Sequence, residues 1–190
     1  RRVLPHYDFA AAKVIVACGA DFLGTWISPV EFTAGWSSRR RPTTTTPEMS
    51  YHVQLEGRLS LTGTKADRRY RVSPLEFGMV LSEIASRIAA RAGVSFPHVE
   101  YKHRPLPEEA IEDLASRLWA AQAESLVICD SQDVATQTVV NFINYTLKNY
   151  GKTLDINRSS LQRQGDDRSV QELLEELESG KVCALFVAGI

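Results

Sequence analysis

Side chains able to do chemistry are few in this chain and widely spaced. The four histidines, His6, His52, His98 and His103, share no metal-ligand spacing, and none stands in a Ser–His–Asp setting that sequence reveals. Zinc and iron–sulfur sites draw on closely spaced cysteines. Cys18, Cys129 and Cys183 instead lie far apart, each inside an apolar run, which predicts buried free thiols on strands. Their odd number also speaks against a complete disulfide framework. No P-loop and no GxSxG elbow is present. The carboxylate pairs Asp166-Asp167 and Glu175-Glu176 fall in a loop and on the exposed face of a helix, where solvation accounts for them. No complete catalytic constellation emerges.

Polar groups gather in three loops. The first, Gly19 to Trp26, is punctuated by glycines that would let backbone approach a phosphate, and Asp21 can accept from a base or a ribose hydroxyl. Its spacing is not that of a dinucleotide fingerprint, and a plain strand-to-helix turn is the stronger reading. The second, Asp130-Ser131-Gln132-Asp133, precedes a helix N-terminus, where bare N–H groups favour anions. Two carboxylates already occupy that end, and Asp133 reads as the cap. The third, Asn157 to Arg168, is long, polar and arginine-rich; such a loop can close over a ligand or a partner, but a solvated surface loop is the stronger reading.

The elements that must position these loops follow from hydrophobic period and punctuation. Lys13 to Gly19 is a continuous apolar run, as for a strand buried on both faces. Ser28-Pro29 starts a helix to about Trp36, Arg39 to Pro47 is a surface loop, and Tyr51 to Leu55 is a second strand. Leu75 to Ala92 is the strongest helix, with Phe77, Val80, Leu81, Ile84 and Ile88 at helical spacing and Gly93 as its stop. Val94 to Pro107 has no period and serves as connector, which places a division between residues 1–97 and 98–190.

In the second half, Pro107 opens a helix with Ile111, Leu114, Ala115, Leu118 and Trp119 on one face, and Leu126 to Cys129 is a strand. A helix capped by Asp133 turns Val139, Val140, Ile143 and Leu147 inward and ends at Gly151. Thr153 to Ile156 is a strand, Val170 to Glu178 a helix with Leu173, Leu174 and Leu177 inward and Gly180 as its stop, and Val182 to Val187 the last strand. Strands alternating with helices require crossovers. The expected fold is therefore α/β, a Rossmann-like three-layer α/β/α arrangement on a mostly parallel sheet.

Composition agrees with a globular domain: of 190 residues, 44% are hydrophobic and 24% charged. A net charge of −1 gives no electrostatic case for nucleic acid or an anionic membrane surface, and no apolar run approaches the roughly 20 residues of a membrane helix. The chain is expected to be soluble, with no direct membrane insertion. It opens Arg1-Arg2-Val3 without Met or signal pattern and closes at Val187-Ala188-Gly189-Ile190 on a strand edge, which predicts a piece of a longer protein.

VIVACGADFLGTWISPVEF (residues 14–32), LTGTKADRRYRVSP (61–74) followed by a long helix, and SLVICDSQDVATQTVVNFINYTLKNYGKT (125–153) together resemble the cofactor-binding core of molybdopterin oxidoreductases. More narrowly, they are similar to the molybdopterin-like iron–sulfur large subunits (B subunits) of bacterial alternative complex III, a quinol-oxidising respiratory complex. The resemblance covers most of the chain and is weakest between Val94 and Pro107. It implies a fragment of a larger molybdopterin-oxidoreductase-type fold on the periplasmic face of the bacterial inner membrane. The implied partners are the rest of the parent chain and the other subunits of the complex.

In active relatives the matching turns hold the guanine-dinucleotide arm of the molybdenum cofactor. Carried over by position, the resemblance assigns Gly19, Asp21, Arg58, Lys65, Asp67 and Gln132 to that arm, as contacts that are possible relics. Departures are evident. Asp21 replaces the usual Asn, Glu56-Gly57-Arg58 stands for Asp-Pro-Arg, and Ser73-Pro74-Leu75-Glu76 lacks the Gly-Thr that admits phosphate, while Ala66-Asp67 is kept. The resemblance thus implies a domain that kept the fold and lost the cofactor, with iron–sulfur clusters elsewhere in the parent chain. The alternative is an active oxidoreductase domain binding molybdopterin guanine dinucleotide. In either case Asp67 is expected to form a buried or partly buried hydrogen bond or ion pair pinning the turn after Lys65.

Overall fold

The computed structural model describes residues 4–44, 47–97, 103–160 and 167–187. The chain divides into two compact units, Arg1–Ser159 and Ser160–Ile190.

In chain order the elements are β1 (Leu4–Tyr7), β2 (Val14–Cys18), α1 (Pro29–Ser38), β3 (Tyr51–Glu56), α2 (Leu61–Lys65), β4 (Arg68–Arg71), a single 3-10 turn (Pro74–Glu76), α3 (Phe77–Ala92), α4 (Glu108–Ala120), β5 (Ser125–Cys129), α5 (Val134–Thr146), β6 (Leu154–Ser160) and α6 (Asp167–Glu178). Four strands form a sheet in the order β4-β3-β2-β5, in which every pairing is parallel. β1 and β6 pair in a separate two-stranded sheet.

Strand alternation sends residues to two cores. On one face Val14, Val16, Cys18, Val53, Leu55, Val127 and Cys129 meet Phe77, Val80, Leu81, Ile84 and Ile88 of α3, Ile111, Leu114 and Leu118 of α4, and Val140 and Ile143 of α5. On the other, Ile15, Ala17, Leu126 and Ile128 meet Phe9, Phe22, Phe32 of α1 and Leu154. The first unit is therefore α/β, a four-stranded parallel sheet with helices on both faces. The division expected at residue 97 is not where the chain separates: α3 and α4, on either side of it, pack together, and β2 pairs with β5. No helix among the described residues is long and apolar enough to cross a membrane.

Three short elements escaped the sequence reading. β1 and β4 span 4 residues each and α2 spans 5, too few for a period to register. α5 stops at Thr146 rather than Gly151, because Lys148 adopts the left-handed conformation (φ 61°) and a Schellman pair closes the helix, Lys148 N–H to Tyr145 O at 3.0 Å and Asn149 N–H to Asn144 O at 2.9 Å.

The strand expected over Val182–Val187 is absent; residues 181–187 have no regular structure, and Leu185, Phe186 and Val187 are exposed. Side chains bond the outer edge of β5. Thr153 Oγ1 donates to Ser125 O (2.5 Å), Asn144 takes both Val127 N–H (3.2 Å) and Val127 O (2.7 Å), and Gln137 Nε2 donates to Cys129 O (2.9 Å). In the second unit no residue of α6 is buried, so Leu174 and Leu177 do not turn inward, and Cys183, read as buried, is exposed.

Candidate functional site

Parallel pairing brings the carboxyl ends of β2, β3 and β5 to one end of the sheet, the end at which open α/β sheets bind ligands. Gly19 follows β2 with φ 71°, and its N–H donates to Leu55 O at 2.8 Å. A Cβ there would lie 2.9 Å from the Phe77 ring and 3.5 Å from Asp130 Cγ, so only glycine fits beneath α3. Asp21 is consumed within the chain. Its Oδ1 accepts from Thr62 N–H (3.0 Å) and Thr62 Oγ1 (2.7 Å), its Oδ2 accepts from Thr25 Oγ1 (3.3 Å), and its carbonyl accepts from the N–H groups of Gly24, Thr25 and Trp26. Thr62 Oγ1 in turn accepts from Leu23 N–H at 2.9 Å. The first turn is thereby locked onto α2.

The remaining expected residues scatter. Arg58 is exposed in the turn after β3, Lys65 is exposed in the last turn of α2, and Gln132 is exposed in the β5–α5 loop, donating to Asp130 O at 3.3 Å. Asp67 stands at the amino end of β4, opposite His52, four residues along β3 from Glu56; at strand rise this is roughly 13 Å from the carboxyl ends. Gly19, Asp21 and the Asp130 loop are brought to one end, and Asp67 is not.

Asp67 pins its turn, as expected. Its carboxylate takes both Arg40 Nη atoms (2.6 and 2.8 Å) and the His52 N–H (2.7 Å). Burial works to raise this carboxyl, but the Arg40 and His52 bonds outweigh it and hold it below the usual aspartate range.

From that pair a buried polar ladder runs along β3, on positions 52, 54 and 56 of one face. His52 Nε2 meets Gln54 Oε1 at 3.3 Å, and Gln54 Nε2 donates to Ala20 O at 3.3 Å and to Glu56 Oε2 at 3.5 Å. Glu56 accepts from Ser60 Oγ (2.6 Å), Ser60 N–H (3.2 Å) and Arg69 Nε (2.6 Å). His52 and Gln54 are fully buried and Glu56 is 3% exposed. Since Gln54 spends its amide as donor, its Oε1 accepts from His52 Nε2–H, leaving Nδ1 bare and the ring neutral. Burial drives the His52 pKa down to about 4, with the Arg40 charge adding to it against Gln54, Asp67 and Glu56. Glu56 is pushed up by burial and pulled down further by Ser60 and Arg69, ending below the usual glutamate value.

The sequence signal for this ladder was the i, i+2, i+4 run His52, Gln54, Glu56 between Val53 and Leu55. Such alternation ordinarily marks a solvated face. Apart from the buried Nδ1 of His52, the ladder groups are spent on one another and on neighbouring turns and strands, which they pin.

A dinucleotide's pyrophosphate gains from bare N–H groups and loses beside carboxylates. Here the N–H groups of Gly19, Leu23, Gly24, Thr25 and Trp26 are bonded within the chain, and the carboxylates of Asp21 and Asp130 flank the turn. Among the described residues, no three His, Cys, Asp or Glu side chains converge as metal ligands. No protein-family model and no curated protein matches this chain.

Proposed function

We propose that this chain is a scaffold domain, without cofactor, of a molybdopterin-oxidoreductase-like subunit. That subunit belongs to a membrane-associated, quinol-oxidising respiratory electron-transfer complex on the periplasmic face of a bacterial inner membrane. The domain docks the rest of its parent chain and neighbouring subunits, and iron–sulfur clusters elsewhere in the parent carry the electrons. The observation that supports this reading is the closure of the first turn on itself. Asp21 spends its carboxylate on Thr62 and its carbonyl on three N–H groups of the same turn, at the position where the resemblance implies that active relatives hold their cofactor. The parallel sheet with helices on both faces agrees with the fold that the resemblance implies.

The test is elemental analysis of the intact parent protein, purified from its own membranes, for molybdenum, tungsten and iron. Iron without the other two is the expected result. Stoichiometric molybdenum or tungsten would overturn the proposal in favour of an active molybdopterin guanine dinucleotide domain, and Gly19 and Asp21 would then be the contacts to substitute.

A further inference from the structure

Cys18 and Cys129 end the two central strands and are Cα partners in the parallel register of β2 and β5. Neighbouring strands lie about 4.8 Å apart, inside the roughly 4.4–6.8 Å between Cα atoms that a disulfide spans. Register partners in a parallel pair point to the same face, and both sulfurs join the core beneath α3 and α5. The two strand-end thiols therefore sit side by side on one face of the sheet. Their surroundings differ. Cys18 is fully buried, whereas Cys129 retains 6% exposure at the mouth of the β5–α5 loop, and its Sγ accepts from Ser131 N–H at 3.4 Å. The neighbouring Cys18 thiol and then the Ser131 N–H lower the Cys129 pKa against burial and the Asp130 charge, while the Cys129 neighbour and burial raise that of Cys18.

We propose that Cys18 and Cys129 form a redox-active dithiol that a small peroxide converts to a disulfide, with Cys129 the attacking sulfur and Cys18 the resolving one. The Cys129 thiolate attacks one peroxide oxygen, the O–O bond breaks and hydroxide leaves, giving a sulfenic acid. The Cys18 sulfur then attacks the Cys129 sulfur, the S–O bond breaks, and the hydroxyl departs with the Cys18 proton as water. Two electrons pass from the sulfurs to the peroxide. The bond would tie β2 to β5 at the end of the sheet where Gly19 and Asp130 meet.

The exposed Cys183 is a competitor and is removed by Cys183→Ser. The 190-residue chain carrying that substitution is treated with hydrogen peroxide, alkylated under denaturing conditions, and weighed intact and as peptides. The expected result is loss of the mass of two hydrogens, a cross-linked peptide containing Cys18 and Cys129, and reversal by dithiothreitol. The rate should be unchanged by urea well below the unfolding transition. In a Cys18→Ser, Cys183→Ser chain, Cys129 should stop at a sulfenic acid trapped by dimedone. Two free thiols after treatment, or a bond whose rate of formation rises with urea and so forms through unfolding, would overturn the proposal.

Discussion

His52 shows how one residue can carry the opposite meaning of its sequence setting. Placed two and four residues before Gln54 and Glu56, it reads as part of a wet strand face, yet all three side chains are buried and bonded in series. Burial leaves the folded ring titrating at about 4, against 6.5 when free. Between those values the unfolded chain binds more protons, so stability rises with pH across the window, by at most roughly 3 kcal/mol. Glu56 and Asp67, held below their ordinary values, lose their own contributions only at still lower pH, as each becomes protonated. Urea unfolding between about pH 4.5 and 7 should therefore show a midpoint that climbs with pH, and His52→Gln should flatten the climb. A slope untouched by the substitution would mean that the ring is not held neutral in the folded chain.

At the scale of elements, the packing helices were legible and their ends were not. α3 and α4 bury the faces that their periods mark, and Leu114 is 1% exposed against α3 and the sheet. Leu114→Ala should cost about 2–5 kcal/mol in chemical denaturation, whereas exposed Leu174→Ala on α6 should stay within about 0.5 kcal/mol. Comparable losses at the two positions would contradict the assigned faces. Gly93 closes α3 as its position implied, with φ 68°, but α5 closes on Lys148, a residue no stop rule points to. The difference is tertiary. Asn144 and Asn149 at that end are bonded to each other, to Val127 and to Ser125, and this holds the turn whatever its local preference.

Over the whole molecule, every buried apolar residue among those described lies at or before Leu154. The first unit thus contains its own core, and α6 of the second has no buried residue. A chain ending at Ser160, which keeps β6, should match the unfolding free energy of the longer chain to within about 1 kcal/mol. A loss of several kcal/mol would show that residues beyond it support the core. The α/β class, the parallel sheet and the two faces of β2 were all readable beforehand, because strand–helix alternation leaves few ways to connect parallel strands. The fate of Val182–Val187 was not, since apolar composition favours a strand while pairing is decided by tertiary context that no local pattern carries.

What the sequence determined by itself are the properties that depend on near neighbours along the chain: period, caps, and the identity of the long helices and the buried strands. Only the tertiary structure decided which distant groups meet. It set Asp21 against Thr62, Asp67 against Arg40, Glu56 against Arg69, and Cys18 beside Cys129. Strand register sets Cys18 beside Cys129, and the packing of loops and α2 around the sheet sets the others; both are properties of the assembled structure, established by which faces bury together rather than by any local preference of the residues involved.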